Sequence, residues 1–456
     1  MTLIDSRPGV RAALELLAAR TGTPIDAALA VSRLGPPLEQ ELAEWFPPDR
    51  VAATADLYRA LYADAAIEPT EAMPGAREAL DSLRRRGAAS LVVTAKNEAD
   101  ARRHVDHLGL DVDAVVGGLW GAGKGVALAQ HGATVYVGDH VLDVAGAHSA
   151  GALSVVVTTG PCSADELAAA GADVVLRDLT ELPGWLDEHV LLQRMRPLGS
   201  VLVAFSGGAD SALVLAAAVK ALGPDNVAAA TAVSDSLADA ELADARAFAA
   251  ELGVRWLSPR TYEMQRAGYR ANDGDRCYFC KAELLDVLTP LAAEHGLAYV
   301  ATGTNADDVL AGFRPGIRAA SERGAVTPLA DAGLAKAQVR ALSRAWGLRT
   351  WDKPAAACLS SRIAYGVEVT PHRLARVQRA EAGVRAALGA LGHPVRDLRV
   401  RDLGDEARVE VEPALVQVAG EAPEVEAAVR SAGFTVLQVA VFRSGSMNAV
   451  LDDRFR

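Results

Sequence analysis

Residues 201–219, VLVAFSGGADSALVLAAAV, constrain this chain more than any other stretch. An apolar strand runs straight into Ser206-Gly207-Gly208-Ala209-Asp210-Ser211 and then into an alanine- and leucine-rich helix. That order is the opening of a βα unit in a parallel-sheet fold. Glycines let the backbone turn tightly and present N–H groups to an anion, and the helix N-terminus adds positive potential. Ser206 and Ser211 add hydroxyl donors. No lysine follows the glycines, so the loop is not of the Walker type. Asp210 reads either as a Mg²⁺ ligand or as a cap on the helix.

The rest of the chain extends this α/β reading. Before residue 190, TVYVGDH (134–140) and ALSVVVTTG (152–160) read as short buried strands, alternating with helical runs at 74–86 and 98–108. VLLQRMRPLG reads as a connecting helix and linker. After residue 367 the pattern changes to a helix (370–391), two strands in DLRVRDLG and EARVEVEP, a helix (423–432) and a strand (434–443). We expect two doubly wound, Rossmann-like parallel-sheet domains at 1–188 and 189–366. A small α+β domain for substrate binding or oligomerisation is expected at 367–456. The net charge of −12 argues against a broad nucleic-acid surface. No run of about 18 apolar residues is free of charges or breakers, so no membrane span is expected. The four cysteines, Cys162, Cys277, Cys280 and Cys358, are too few for a disulfide scaffold and fit a reducing cytoplasm.

Two of these cysteines lie in DRCYFCKAELL (275–285), three residues apart and flanked by basic residues. A zinc site would need two more ligands, and no second close pair exists. Packed thiols, or a cluster shared with Cys358, are both open. Cys358 itself stands in KPAAACLSSRIAYG (353–366) beside Ser360, Ser361 and Arg362. Upstream, a short apolar strand leads into Thr302-Gly303-Thr304-Asn305, with Asp307 and Asp308 behind it. The end of a strand is where doubly wound sheets bind ligands. Arg399 and Arg401 alternate along one strand and so share a face.

The loop SGGADS resembles the pyrophosphate loop of the ATP pyrophosphatases. With RCYFCK, residues 301–366 and FRSGSMN (442–448), residues 195–453 closely resemble the ATP-dependent sacrificial sulfur transferases known as LarE. The resemblance implies ATP and Mg²⁺ as cofactors and a pyridinium dicarboxylate mononucleotide as substrate, in nickel-pincer cofactor biosynthesis. Transfer of AMP to a carboxylate supplies a leaving group. A cysteine thiolate then attacks the activated carbonyl. Cleavage of the cysteine Cβ–S bond leaves sulfur on the substrate and dehydroalanine in the chain. Cys358 occupies the sacrificial position. The resemblance further implies ATP contacts from Ser206, Gly207, Gly208, Asp210, Ser211, Gly303 and Thr304. It implies substrate or phosphate contacts from Ser360, Ser361, Arg362, Arg399 and Arg401, and metal contacts from Asp210 and Asp308. Arg314 could contact a phosphate, Lys353 could reach the adenylate, and Glu381 and Glu410 fall at matching places. The rival enzyme reading has Cys277, Cys280 and Cys358 holding an iron–sulfur cluster that delivers sulfide catalytically. A third is tRNA thiolation or amide ligation on the same ATP fold. A homo-oligomer is expected, with no nucleic-acid or membrane partner.

Residues 1–188 resemble the phosphoglycolate-phosphatase-like branch of the haloacid dehalogenase superfamily. LVVTAK supplies Thr94, GAGKG supplies Lys124, and VGDHVLD supplies Asp139 and Asp143. Residues 8–73 would form the helical cap. The superfamily's D-x-D-G-T-L motif on the first strand has no counterpart in MTLIDSRPGV; either the true start lies upstream, or the domain serves as a binding appendage. The polypeptide as written is therefore expected to lack phosphatase activity. Assay with phosphoglycolate and p-nitrophenyl phosphate checks this, and Mg²⁺-dependent hydrolysis lost in Asp139→Asn would overturn it.

Overall fold

The computed structural model describes residues 1–34, 37–237, 239–312, 314–354 and 358–443. The alanines 355–357 and residues 444–448 of FRSGSMN lie outside the described residues. The chain divides into two compact units, Met1–Leu186 and Asp187–Arg456.

The first unit begins with helices Arg7–Thr21, Ala27–Ser32, Leu38–Leu42 and Pro48–Ala65. They bury Leu14, Leu17, Leu42, Phe46, Tyr58 and Tyr62 in a core of their own. The α/β part follows. Its strands form two separate sheets rather than one. Leu91–Val93 pairs parallel with Ala114–Val116, and Val135–Gly138, Leu153–Val157 and Val174–Leu176 form a parallel three-stranded sheet. The Tyr136 hydroxyl reaches the Val93 carbonyl at 3.5 Å, so these two sheets are neighbours without being joined. Among the described residues, Leu91–Val93 and Val135–Gly138 are each paired along one edge only.

The second unit is built on a four-stranded parallel sheet. Its order is Arg255–Leu257, Val227–Ala230, Val201–Ala204, Tyr299–Ala301. The first strand in the chain is thus followed by neighbours on opposite sides, which makes the edge between Val201–Ala204 and Tyr299–Ala301 the topological switch point. The helix Ala209–Leu222 is apolar around most of its circumference because it is enclosed: Ala212, Leu213, Val214, Leu215, Ala217 and Ala218 are all buried. It packs against the helix Lys336–Ala345 as well as the sheet.

The C-terminal part of this unit has a second core. Leu398–Asp402 pairs antiparallel with Glu406–Val411, which pairs parallel with Val436–Val441. The helices Pro371–Ala390 and Pro423–Ser431 cover the sheet, and Val377, Val384, Leu388, Val400 and Val409 fill the space between. All of Leu398–Asp402 is buried, so its polar residues require partners. Asp402 is fully buried and accepts from Arg376 at 2.6 Å, from Arg373 at 2.8 Å and from Gly404 N–H at 3.0 Å. Asp402→Ala would leave the buried Arg376 without its anion. It is expected to cost about 3–5 kcal/mol, read by urea denaturation of the variant against the parent.

Candidate active site

The phosphate-type loop sits at the switch point. Gly207 has φ +73, a left-handed conformation that a glycine adopts without strain. Ser206 and Ser211 close the turn through their hydroxyls at 3.1 Å, and Ser211 Oγ accepts from Ser206 N–H at 3.2 Å. Ser206 is exposed while Ser211 is buried, so of the two only Ser206 faces outward. The neighbouring strand end presses close. A Cβ on Gly303 would lie 2.8 Å from Ser211 N, which is why GTN follows that strand.

Two lysines flank the loop, each holding a carboxylate. Lys336 Nζ donates to Asp210 Oδ2 at 2.5 Å, and Asn305 Nδ2 donates to Asp210 Oδ1 at 3.2 Å. Lys353 Nζ donates to Glu241 at 2.6 Å, lies 3.9 Å from Asp244, and would lie 3.8 Å from a Cβ on Gly207. A cavity of about 270 Å³ opens here, lined by Phe205, Gly207, Phe248, Arg349, Thr350 and Lys353 among others. The loop and these cations suit a polyphosphate. Both carboxylate oxygens of Asp210 are thus engaged, Oδ1 by Asn305 and Oδ2 by Lys336. Asp308 accepts from Asn305 N–H at 3.3 Å in a reciprocal helix cap and lies 3.9 Å from Arg314. Among the described residues, no three Cys, His, Asp or Glu side chains gather to hold a metal ion. Lys336 and Glu241 were not singled out from sequence. Lysine and glutamate on amphipathic helices read as solvated residues unless the fold is known.

Cys358 is exposed and starts a short 3₁₀ turn, Leu359–Arg362. Cys277 is exposed as well, whereas Cys280 is half-buried. Burial pushes the Cys280 thiol up, and the neighbouring Cys358 adds to the shift. Ser360 is fully buried with its hydroxyl against Tyr269, so it does not face a ligand. Ser361 and Arg362 both turn toward their own backbone: Ser361 Oγ donates to Cys358 O at 2.7 Å and Arg362 Nη1 to the same oxygen at 3.0 Å. Arg362 is anchored by Glu381 at 2.9 Å. Arg401, on the adjacent sheet, donates to Ser361 O at 2.9 Å and pairs with the buried Glu410 at 2.9 Å. Arg399 is buried near it, its guanidinium 4.9 Å from the Phe442 ring. Burial pulls the Arg399 guanidinium below its usual range, and the positive charges of Arg362 and Arg401 pull it further. Arg276 and Asn272 complete the surround: Arg276 donates to Ser360 O at 2.8 Å. Asn272, at φ 57, donates to Ala364 O and Val367 O at 2.8 Å. Sequence reading placed Arg276 only as a charge beside Cys277, because its target lies 84 residues away.

In the first unit, Lys124 donates to Asp143 at 2.7 Å. Asp143 also accepts from Tyr136 Oη at 3.2 Å and from Asp139 N–H at 3.1 Å. Asp139 accepts from Thr2 Oγ1 at 2.7 Å. Thr94 ends the strand beside them and accepts from Lys96 N–H at 3.2 Å.

Comparison with known proteins places both units among known families. Residues 2–151 match the haloacid dehalogenase-like hydrolases, residues 122–182 match a related hydrolase family, and residues 181–274 match NAD synthase. A haloacid dehalogenase-like protein of Streptococcus pneumoniae is 22% identical, with 40% of this chain and 93% of that one covered and a TM-score of 0.37. An uncharacterised protein of Synechocystis is 43% identical over 266 residues, 57% of this chain and 96% of its own. The pyridinium-3,5-bisthiocarboxylic acid mononucleotide synthase of Lactiplantibacillus plantarum is 36% identical over 267 residues, 57% of this chain and 93% of its own. The chain belongs to the family of that synthase, LarE. Its C-terminal part carries the LarE homology, on an NAD-synthase-like ATP pyrophosphatase fold, behind a haloacid dehalogenase-like domain. No described helix of this LarE homologue is long and apolar enough to cross a membrane.

A Cβ on Gly208 would meet only Ser206 Oγ, at 3.6 Å, so the loop has room for a side chain there. Gly208→Val is therefore expected to fold with little change in melting temperature yet to lose ATP-dependent pyrophosphate release. Unchanged release would show that the polyphosphate binds elsewhere.

Proposed function

We propose that this chain transfers sulfur to a pyridinium dicarboxylate mononucleotide in an ATP-dependent reaction, with Cys358 as the donor. The observation that carries the reading is an exposed thiol on a turn braced by Ser361 and Arg362, in a unit that also holds a polyphosphate loop. ATP binds at Ser206–Gly208 with its phosphates toward Lys353 and Lys336, which exchange their carboxylates for it. The substrate carboxylate attacks the α-phosphorus, AMP becomes the leaving group and pyrophosphate departs. The Cys358 thiolate then attacks the acyl adenylate. Arg399 and Arg401, with Arg362 nearby, supply a positive field suited to the substrate's phosphate. Sulfur leaves with the substrate when the Cβ–S bond of Cys358 breaks. For residues 1–188 we propose a binding or regulatory part, in which Lys124 pairs with Asp143 at 2.7 Å.

Incubation with ATP, Mg²⁺ and the mononucleotide, followed by intact-mass analysis, tests the reading. The expected result is loss of the elements of hydrogen sulfide from the chain. Cys358→Ala is expected to abolish thiocarboxylate formation while pyrophosphate release persists. Sulfur transfer by the alanine variant would overturn the assignment, and an iron chromophore with unchanged mass would favour a cluster at Cys277, Cys280 and Cys358.

A further inference from the structure

The main-chain carbonyl of Cys358 is the most heavily engaged group beside the thiol. It accepts from Ser361 N–H at 3.0 Å, from Ser361 Oγ at 2.7 Å and from Arg362 Nη1 at 3.0 Å. The first of these is the ordinary bond of a 3₁₀ turn. A carbonyl oxygen has two lone-pair directions, so one such bond and a second donor already satisfy it. Here a hydroxyl and a charged guanidinium are added. The guanidinium is fixed in place: Arg362 is buried, and its Nε and Nη2 donate to the two oxygens of Glu381 at 2.9 and 3.4 Å. Arg362 Nη1 also lies 3.3 Å from Ser361 Oγ, which orients that hydroxyl's lone pairs toward the arginine and its proton toward the carbonyl.

We propose that Ser361 and Arg362 form an oxyanion hole for the enolate of Cys358 itself, accelerating the elimination that releases its sulfur. The proposal rests on the sulfur-donor reading above. Once the thioester has formed, a base drawn from solvent removes the Cα proton of Cys358. The electron pair of that bond moves into a Cα=C double bond, and negative charge collects on the carbonyl oxygen. Return of the pair forms Cα=Cβ while the Cβ–S bond breaks, its electrons leaving on sulfur as the thiocarboxylate. Residue 358 becomes dehydroalanine, the base carries the proton, and no external oxidant or reductant takes part. A peptide Cα–H is weakly acidic, so the enolate is the costly species on this path. Donors already aimed at its oxygen act where the charge develops and need no reorganisation at that moment.

Ser361→Ala removes the hydroxyl donor and keeps the N–H of the turn. With ATP, Mg²⁺ and the mononucleotide, the covalent adduct on Cys358 is expected to build up relative to dehydroalanine, whatever the rate at which the adduct forms. Conversion to dehydroalanine is expected to slow by roughly a hundred- to a thousandfold. Time-resolved intact mass would then catch the covalent adduct in place of the loss of hydrogen sulfide. Ser361→Thr, which restores a hydroxyl, is expected to restore the loss. Dehydroalanine forming at the parental rate in Ser361→Ala, with no adduct accumulating, overturns the proposal alone. Failure of the variant to release pyrophosphate also overturns it, by placing Ser361 at an earlier step. Parent protein that releases pyrophosphate but keeps its full mass overturns the donor reading and the proposal with it.

Discussion

An irregular segment that crosses a protein interior must find a donor for each carbonyl it carries, because no ladder supplies one. Residues 358–367 are such a segment, and the second unit is organised around satisfying them. Cys358 O takes Ser361 and Arg362, Ser360 O takes Arg276, Ser361 O takes Arg401, and Asn272 serves Ile363, Ala364 and Val367. Each donor left without an acceptor, or acceptor without a donor, costs about 1–3 kcal/mol when buried. The cysteine is exposed, but the backbone behind it is fixed from three directions.

Those directions come from different parts of the chain. Arg276 and Asn272 belong to the segment after the third strand of the parallel sheet. Arg401 comes from the C-terminal sheet and is held there by Glu410. Ala364 N–H bonds to Asp402 O at 2.9 Å, which ties the segment to the strand that carries Arg401. The C-terminal part therefore does more than add surface for a substrate. It supplies half of the scaffold on which the thiol stands, so damage to the Asp402 cluster would be felt at Cys358.

Much of the fold was legible in sequence because its signals are local. TVYVGDH, ALSVVVTTG and SVLVAFSGG each contain the strand expected of them, and the helices expected at 74–86, 98–108 and 370–391 are present within two residues or so at each end. The glycines of the loop and of GTN were readable for the same reason: a positive φ and a close approach leave their mark on residue type. What escaped was set by distance along the chain. The expectation of alternating polar and apolar faces at 398–402 met a strand buried on both faces, because the segment 358–367 lies across it. The phosphate role expected of Ser360 met a hydroxyl turned inward to Tyr269, a partner 91 residues away.

The two lysines beside the phosphate-type loop each stand against a carboxylate, Lys336 against Asp210 and Lys353 against Glu241. Charge arranged as close pairs projects a dipolar field, which decays with distance faster than that of isolated cations. With a Debye length of about 8 Å at physiological salt, little of it reaches a nucleotide still in solution. A polyanion approaching this loop is thus not drawn in from afar by these two lysines. Discrimination falls instead to the moment of contact, when a ligand either displaces both carboxylates or leaves the loop as it found it.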